Sequence, residues 1–438
     1  MPAKTILTVI TFIALILLPQ LAPALKNYQS LDPRNIAAVL DLPIPKLKGS
    51  EPDTAEIRVL KLEAPKNLSD PAHALDHFYA ALLKGGTVRI LHYGDSPTTG
   101  DLITADARTM LQQEFGDAGS GFVLIARPWA WYNHRGVEMD ASNWKIDVAG
   151  IAQLKDGMHG LGGVSFLGNP GAVAHWRVRN QSTIEIAYLA QPDAGEFAID
   201  ADNQQLGTVD TTAENRAPAY AQFRIPQGAS KFTLRVTRGS VRLYGAEFRK
   251  QRGVIYSALG INGANVTLLS HAFNERHWSA ELRHYKPDLV IVNYGTNESG
   301  FPDFVNKTWA PEMKEVVRRL HSALPDSSVL LMSPMDRGER KIGGEIETMP
   351  LLPRLVQIEN RVASETGAAF FNTFEAMGGE GTMARWYAAE PRLVSADFIH
   401  PMPAGAKIVG ELLYNALKDG FNDYKLRQLN EKSEPHQK

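Results

Sequence analysis

The residues that decide the fold are 88–96, with the sequence VRILHYGDS. This mostly apolar run has the pattern of a strand buried inside a parallel sheet, and it ends in a turn that carries Ser96. A helix is predicted over residues 101–115, so the order is strand, turn, helix. Open parallel sheets place their functional groups at the carboxyl ends of their strands. Ser96 is therefore the first candidate for a functional residue.

The same alternation of strand and helix continues in the C-terminal half of the chain. Strands that are apolar on both faces alternate there with amphipathic helices, which predicts a parallel sheet covered on both sides. A further helix is predicted ahead of the first strand. We therefore expect a three-layer α/β/α domain. The additional predicted strands are residues 288–294, 329–332 and 368–371, and the additional predicted helices are residues 73–84, 311–324, 352–366 and 404–417.

The middle of the chain has a different pattern. Apolar and polar residues alternate in short runs separated by turn residues, as at residues 184–188. Alternation with a period of two in many short runs predicts an antiparallel β-sandwich. We place this sandwich at residues 128–252, as an insertion into a discontinuous α/β domain formed by residues 71–127 and 253–422. The residues from 423 to 438 are predicted to be a polar, frayed tail.

The N-terminal residues have the features of a secretory signal. Lys4 precedes an apolar run at residues 6–18, and the sequence Ala-Pro-Ala at residues 22–24 is a small-x-small cleavage pattern. The run is short for a membrane span. We interpret residues 1–24 as a signal peptide, with an uncleaved N-terminal anchor as the alternative. Either interpretation makes the protein secreted or periplasmic. The proline-rich residues 25–70 are predicted to form a linker arm.

The composition excludes several kinds of function. The 438 residues carry a formal net charge of −2, which gives no global attraction to nucleic acid or to anionic lipid. The absence of cysteine excludes disulfides, thiolate catalysis and cysteine-ligated metal sites. The sequence also lacks a Gly-x-Ser-x-Gly elbow, a Gly-Lys dipeptide and a His-Glu-x-x-His motif. Nothing in it requires a metal ion or an organic cofactor.

The candidate base for Ser96 lies near the other end of the chain. Asp397 and His400 are three residues apart, just ahead of the last predicted helix. In a loop or a single turn, Asp397 can accept a hydrogen bond from one ring nitrogen of His400 while the other nitrogen faces Ser96. A serine hydroxyl needs such a base to become a nucleophile. These three residues are the predicted catalytic triad.

Two segments are candidates for an oxyanion hole. Residues 260–264 have the sequence GINGA, in which a glycine lets the backbone approach a ligand closely. Residues 294–297, with the sequence YGTN, end a predicted strand and offer the side-chain amide of Asn297.

Two other groups of residues have alternative interpretations. Asp336 and Arg337 follow a predicted strand at the catalytic edge, where we expect a loop salt bridge, with a substrate contact as the alternative. Four aromatic residues cluster at the start of the insertion, where we expect structural packing, with sugar stacking as the alternative. These aromatic residues are Trp129, Trp131, Tyr132 and Trp144.

Together the motifs resemble the signature blocks of the SGNH (GDSL-like) hydrolases. Residues 94–96, Gly-Asp-Ser, resemble the first block, and Gly263 resembles the glycine of the second block. Residues 295–297 resemble the Gly-x-Asn of the third block, and residues 397–400 resemble the fifth. The resemblance covers residues 75–127 and 253–420.

The resemblance implies roles for five residues of the triad and the oxyanion hole. Ser96 is the nucleophile, and the Asp397 and His400 pair serves as its base. The N–H groups of Ser96 and Gly263 and the side-chain amide of Asn297 form the oxyanion hole.

Two positions depart from the usual pattern of the family. Pro97 stands where leucine or histidine is usual, and Glu298 stands where aspartate is usual. Neither position supplies triad chemistry, so the hydrolase interpretation is unaffected.

The spacing between the first two blocks is unusual. Positions 96 and 263 are 167 apart, whereas family members hold these blocks much closer together. The predicted sandwich fills the gap. A hydrolase domain interrupted in this way is similar to the bacterial peptidoglycan O-acetylesterases, whose insert resembles carbohydrate-binding modules.

This similarity implies a serine esterase that removes O-acetyl groups from a cell-envelope or extracellular polysaccharide. Peptidoglycan is the first choice, and an O-acetylated glycan is the expected partner. Two alternatives stay open. One is a polysaccharide O-acetyltransferase that uses the same triad, with a sugar hydroxyl instead of water as the acceptor. The other is a catalytically inactive glycan-binding scaffold protein.

Overall fold

The computed structural model describes residues 67–151 and 154–433. The predicted signal peptide and nearly all of the predicted arm lie outside the described residues. The strands are β1 Leu68–Ser69, β2 Thr87–Gly94, β3 Gly121–Val123, β4 Glu138–Val148, β5 Val164–Arg177, β6 Thr183–Ala190, β7 Glu196–Ala201, β8 Gln204–Asp210, β9 Ala217–Arg224, β10 Lys231–Arg238, β11 Val241–Arg249, β12 Gly253–Gly260, β13 Leu289–Asn293, β14 Ser328–Met332, β15 Gly338–Arg340, β16 Ile346–Thr348 and β17 Ala369–Phe371. The α-helices are α1 Asp76–Lys84, α2 Ser96–Thr99, α3 Ile103–Phe115, α4 Glu275–Tyr285, α5 Trp309–Ala323, α6 Leu352–Thr366, α7 Thr373–Ala376, α8 Thr382–Ala388 and α9 Pro403–Ser433.

Six strands form the first sheet, in the spatial order β1-β17-β14-β13-β2-β12. All neighbours pair in parallel except β1, which is antiparallel to β17. Every residue of β13 and β14 is buried, and so is every residue of β2 after the first. Neither face of these central strands meets water, which explains their continuous apolar runs. The predicted parallel sheet is confirmed.

Helices cover both faces of this sheet. The hydrophobic core on one face contains Phe78 of α1 and Leu413 of α9, and the core on the other face contains Trp309 of α5. Neighbouring residues of β2 point to opposite cores, Ile90 to the first and Leu91 to the second. The predicted three-layer α/β/α arrangement is therefore confirmed. No helix in the described part of the chain is long and apolar enough to cross a membrane.

The last helix corrects one prediction. α9 continues through most of the segment from residue 423 that was predicted to be a frayed tail. Tyr424 packs against Tyr79 of α1, with ring centroids 6.0 Å apart. Arg427 forms an ion pair with Asp76 of the same helix at 2.6 Å. These tertiary contacts stabilise a segment whose polar sequence alone does not predict order.

The second sheet has nine strands, all paired antiparallel. Its order is β8-β7-β10-β5-β11-β6-β9, with β4 attached to β5 and β3 attached to β11. The first half of β5 pairs with β11 and its second half pairs with β10, so the sheet has two arms. The arms face each other, because Trp176 and Phe232 of one arm contact Phe248 of the other, with ring centroids 6.1 and 5.2 Å apart. The predicted antiparallel sandwich is confirmed. The sheet also includes β3, which lies ahead of residue 128, where the insertion was predicted to begin.

The insertion packs directly against the α/β domain. Arg89 of β2 forms a buried ion pair with Glu247 of β11. Tyr220 of β9 stacks on His284 of α4, with ring centroids 3.4 Å apart. Both contacts join the second sheet to the α/β domain.

Candidate active site

Ser96 is the first residue of the short helix α2, close to the carboxyl end of β2. The turn before it is tight, since a Cβ on Gly94 would lie 2.2 Å from Oγ1 of Thr98. The Thr99 N–H donates to the carbonyl oxygen of Asp95 at 2.9 Å. The turn therefore holds Ser96 at the carboxyl edge of the parallel sheet, where the sequence predicted it.

The structure brings Ser96 together with two residues that lie about 300 positions later in the chain. Ser96 Oγ lies 2.8 Å from His400 Nε2, and His400 Nδ1 lies 2.6 Å from Asp397 Oδ2. The side chains of Asp397 and His400 are 47% and 42% exposed, so a substrate in solution can reach them. This geometry allows His400 to take the proton of the Ser96 hydroxyl.

Asp397 is held by the turn in which it lies. Its Oδ1 accepts hydrogen bonds from the backbone N–H groups of Ile399 and His400, at 2.9 and 3.0 Å, and from the Ser395 hydroxyl. Partial burial raises the pKa of this carboxyl, but the hydrogen bonds outweigh burial and hold the pKa well below its ordinary value. An anionic carboxylate beside Nδ1 favours the tautomer with its proton there. Nε2 of His400 is then free to accept.

The segment after β12 lies against the turn that carries Ser96. Ile261 donates its N–H to the carbonyl oxygen of Gly94 at 3.0 Å. Gly260 packs so closely against the nucleophile turn that a Cβ would lie 2.1 Å from the Thr99 nitrogen. Gly263 has a φ of 71°, and nothing lies within 4 Å of the position that its Cβ would occupy. The backbone at Gly263 therefore borders open space.

Asn297 lies after β13, the neighbour of β2 on the side opposite β12. Its Nδ2 donates to the carbonyl oxygen of Ala264 at 2.7 Å and lies 3.4 Å from Oδ2 of Asp95. The Asn297 amide thus connects the third block to the second, because its acceptor Ala264 directly follows Gly263. All the residues predicted to form the oxyanion hole lie at the same edge of the sheet.

Glu298 has a role that the sequence analysis missed. Its two carboxylate oxygens accept hydrogen bonds from the N–H of Val266 at 2.9 Å and from the N–H of Gly295 at 3.1 Å. The side chain therefore bridges the loops that follow β12 and β13. Burial raises the pKa of Glu298 to about 7, and burial likewise raises the pKa of Asp95 to about 6. The sequence feature that could have identified Glu298 is its position directly after the Gly-x-Asn motif.

The predicted loop salt bridge between Asp336 and Arg337 is wrong. Asp336 is buried and accepts hydrogen bonds from the Met383 N–H and the Thr348 hydroxyl, both at 2.8 Å. Arg337 points elsewhere and donates to the carbonyl oxygen of Thr296 at 2.7 Å. Adjacent residues of an extended segment direct their side chains to opposite sides, which separates the two charges.

The loop after β3 contains Trp131 and lies beside the nucleophile turn. β3 lies beside β12, where the Phe122 N–H donates to the Ser257 hydroxyl, and the chain then passes the carboxyl end of β12. It is anchored to the nucleophile turn by the Asn133 N–H, which donates to the Thr99 carbonyl oxygen at 3.2 Å. Trp131 itself is 53% exposed. The other three aromatic residues of the cluster pack inward, as the structural interpretation predicted: Trp129, Tyr132 and Trp144.

Comparison with known protein families finds one match. Residues 225–408 match the model of the GDSL-like lipase/acylhydrolase family. The matched stretch contains Gly263, Asn297, Asp397 and His400. Ser96 lies before it, because the insertion separates the first block from the others. No curated protein sequence matches the chain.

Comparison with solved structures shows the fold. A structure of a peptidoglycan O-acetylesterase matches with a TM-score of 0.68 and 22% identity, over 81% of this chain and 99% of that chain. A carbohydrate esterase family 2 enzyme with a carbohydrate-binding domain, from Corynascus thermopiles (Myceliophthora fergusii), matches with a TM-score of 0.30 and 14% identity, over 58% of this chain and 95% of that chain. A family two carbohydrate esterase from Clostridium thermocellum matches with a TM-score of 0.27 and 12% identity, over 65% of this chain and 99% of that chain. Only the first likeness is close enough to show a shared fold. The chain therefore has an SGNH-type hydrolase fold, in which residues 225–408 match the GDSL-like lipase/acylhydrolase family.

Proposed function

We propose that the protein is a serine esterase that removes O-acetyl groups from a cell-envelope or extracellular polysaccharide. The observation that carries the proposal is the hydrogen-bonded line from Ser96 through His400 to Asp397, at the edge that also holds Gly263 and Asn297. Peptidoglycan is the first candidate polymer. The predicted signal peptide supports this choice, because it directs the enzyme to the compartment outside the cytoplasm.

Each step of the reaction uses a group at this edge. His400 Nε2 takes the proton of the Ser96 hydroxyl as Oγ attacks the acetyl carbonyl carbon. Asp397 orients the ring through Nδ1 and stabilises the imidazolium that forms. The bond between the carbonyl carbon and the sugar oxygen then breaks, and His400 gives its proton to that oxygen. Water attacks the acetyl-enzyme with His400 again as base, which releases acetate and restores the Ser96 hydroxyl.

The negative charge of the tetrahedral intermediate needs donors that are already in place. The N–H groups of Ser96 and Gly263 and the amide of Asn297 fill this role in the proposal. The tie between Asn297 and Ala264 keeps two of these donors in register. The open space at Gly263 leaves room for the acetyl oxygen.

Two further observations support a carbohydrate as the substrate. Trp131 is exposed in the loop that Asn133 anchors to the nucleophile turn, and exposed aromatic rings stack on the apolar faces of sugars. The fold is shared with a peptidoglycan O-acetylesterase over most of both chains.

The first test compares Ser96→Ala with the wild-type protein. We expect kcat/KM for p-nitrophenyl acetate to fall by at least about 10³-fold, because the base then has no nucleophile to activate. The same loss is expected for acetate release from O-acetylated peptidoglycan. Ser364→Ala, an equal change at an exposed position of α6, is the matched control and should leave both rates unchanged.

The outcomes separate the alternatives. Equal turnover by the Ser96→Ala variant and the wild type would show that another residue is the nucleophile. Transfer of acetyl groups to an added oligosaccharide without acetate release would indicate an O-acetyltransferase. Glycan binding without any turnover of either substrate would indicate a scaffold protein.

A further inference from the structure

The side chain of Arg337 lies against the loop that carries the Asn297 amide. Its Nη1 donates to the carbonyl oxygen of Thr296 at 2.7 Å and to the Ser299 hydroxyl at 3.2 Å. These two residues flank Asn297 closely in sequence. Arg337 is partly buried. It follows the carboxyl end of β14, which lies two strands from β2 in the sheet.

The backbone next to Arg337 is tied to the turn that holds the candidate base. The Gly338 N–H donates to the carbonyl oxygen of Phe398 at 2.9 Å. Phe398 lies between Asp397 and His400. Arg337 is therefore placed between the proposed oxyanion donors and the proposed base, at the edge where the substrate must bind.

The charge of Arg337 has no carboxylate partner within the described residues. The carboxylate of Glu339 acts on this charge and raises the pKa of Arg337, but Glu339 is itself paired with Lys341. Every other arginine in residues 67–151 and 154–433 that is buried or partly buried forms an ion pair with a carboxylate. Those arginines are Arg89, Arg108, Arg235, Arg242, Arg249, Arg319 and Arg427.

The guanidinium also keeps donors free for a ligand. Its known contacts use Nη1 alone, and Nε is buried without a hydrogen-bond partner among the described residues. Burial lowers the pKa of Arg337, which is the effect expected of a cation removed from water with too little negative charge nearby. A partly buried arginine without a counter-charge is unfavourable in the free protein. Nη2 has no acceptor among the described residues, and its N–H groups can form a charge-assisted hydrogen bond with a carboxylate.

We propose that Arg337 binds a carboxylate of the acetylated glycan, and so selects substrates that carry an acid group close to the acetyl ester. This inference rests on the proposed function and specifies its substrate class. A neutral acetylated sugar leaves the guanidinium unpaired, whereas an acidic one supplies the counter-charge that the protein lacks. The carboxylate has two possible sources in the polymer. It can belong to the sugar, as a uronic acid or a lactyl ether, or to a peptide attached to the sugar.

The test uses chemically matched substrates. An O-acetylated glycan with free carboxylates is compared with the same glycan after its carboxylates are converted to methylamides, and p-nitrophenyl acetate is the third substrate. We expect the wild type to prefer the acid form over the amide form by about 10- to 100-fold in kcat/KM, as a charge-assisted hydrogen bond implies. In Arg337→Gln the ratio of kcat/KM for the acid form to kcat/KM for the amide form should fall close to one, mainly because KM for the acid form rises. Arg337→Lys should keep part of it, because the charge remains.

Arg354→Gln is the matched control. It makes the same chemical change at an exposed arginine of α6, and it should leave the preference of the wild type intact. Peptide-free and peptide-bearing acid glycans form the second comparison. A preference seen with the peptide-free form assigns the carboxylate to the sugar, and one seen only with the peptide-bearing form assigns it to the peptide.

Three results would overturn the inference. The first is a wild type that hydrolyses acid and amide forms equally well. The second is a preference that survives in Arg337→Gln. The third is a variant Arg337→Gln in which kcat falls equally for all three substrates and the preference for the acid form is retained. Arg337 would then only support the Asn297 loop through Thr296. A wild type that releases no acetate from any glycan would instead contradict the proposed function, so the two failures are distinguishable.

Discussion

At the scale of single residues, the site depends on carboxylates whose surroundings push their pKa values in opposite directions. Four hydrogen-bond donors keep Asp397 anionic despite its partial burial. Glu298 accepts two N–H groups, yet its almost complete burial dominates and raises its pKa to about 7. The same chemical group therefore serves as a fixed charge beside His400 and as a titrating bridge between two loops.

Glu298 predicts a pH dependence of stability. Its pKa is raised from 4.5 to about 7 on folding, so the folded state binds the proton more tightly than the unfolded state. The stability contributed by this group is fully present below pH 4.5 and is lost as the pH rises through 7. The shift corresponds to about 3 kcal/mol. We expect the destabilisation caused by Glu298→Gln to be smaller at pH 8 than at pH 5 by up to this amount.

Urea unfolding of both proteins at the two pH values measures this difference. Glu345→Gln, which changes an exposed carboxylate in the loop between β15 and β16, is the control. It should change the free energy of unfolding by the same amount at pH 5 and pH 8. A destabilisation by Glu298→Gln that is larger at pH 8 than at pH 5 would contradict the raised pKa of Glu298. It would show that the charged carboxylate, bonded to Val266 and Gly295, is the favoured form.

At the scale of elements, the position of the nucleophile depends on how β12 meets α2. Gly260 ends β12, and the backbone of Thr99 in α2 occupies the space of a side chain at that position. The Ile261 N–H adds a hydrogen bond to the carbonyl oxygen of Gly94. The strand and the helical turn are thus in direct backbone contact, without intervening side chains.

This contact predicts a strong effect of Gly260→Ala. The added methyl group would lie 2.1 Å from the Thr99 nitrogen, so α2 has to move. A displacement of about 1 Å at a catalytic group lowers activity by about 10²-fold, and overpacking costs about 1–3 kcal/mol. Kinetics with p-nitrophenyl acetate and urea unfolding measure the two effects.

Gly343→Ala provides the matched control for that variant. No atom lies within 4 Å of the corresponding Cβ position, and the residue is exposed. Activity and stability should therefore stay at the wild-type level. Wild-type activity in Gly260→Ala would show that α2 can shift without moving Ser96.

At the scale of the whole molecule, the insertion is part of the hydrolase and not an independent attachment. The hydrophobic core on one face of the parallel sheet continues into the sandwich without a break. The ion pair between Arg89 and Glu247 lies within this junction, with side-chain exposures of 10% and 0%. We infer that the two sheets unfold together in one cooperative transition.

Glu247→Gln tests this coupling. The variant leaves Arg89 buried without its partner, which costs about 3–5 kcal/mol in comparable sites. Glu138→Gln is the control, because its partner Arg177 is exposed and such surface pairs contribute less than about 1 kcal/mol. Urea unfolding followed separately by tryptophan fluorescence and circular dichroism should give coincident curves. Two separate transitions would show that the sandwich folds on its own.

Much of this architecture follows from the sequence alone. Continuous apolar runs identified the parallel strands, and alternating runs identified the sandwich, because burial on two faces or one leaves a local pattern in the chain. Ser96, Asp397 and His400 were selected from short motifs beside predicted strands and ahead of the last helix. The position of Ser96 follows from the topology, since parallel strands bring their carboxyl ends to one edge, and the turn ahead of α9 brings Asp397 and His400 to that edge. Their catalytic roles stay predictions that Ser96→Ala tests.

The tertiary structure decided the features that have no local pattern. The order of α9 beyond residue 423 depends on Asp76 and Tyr79, which lie about 350 positions earlier. Glu298 became a bridge only when the loops after β12 and β13 were brought together. Arg337 has a neighbouring acid in sequence, but it forms no ion pair with a carboxylate in the part of the chain that the structure describes. A sequence pattern indicates which residues of one helix or strand are buried. Ion pairs and hydrogen bonds depend instead on distances between residues that are remote in the chain.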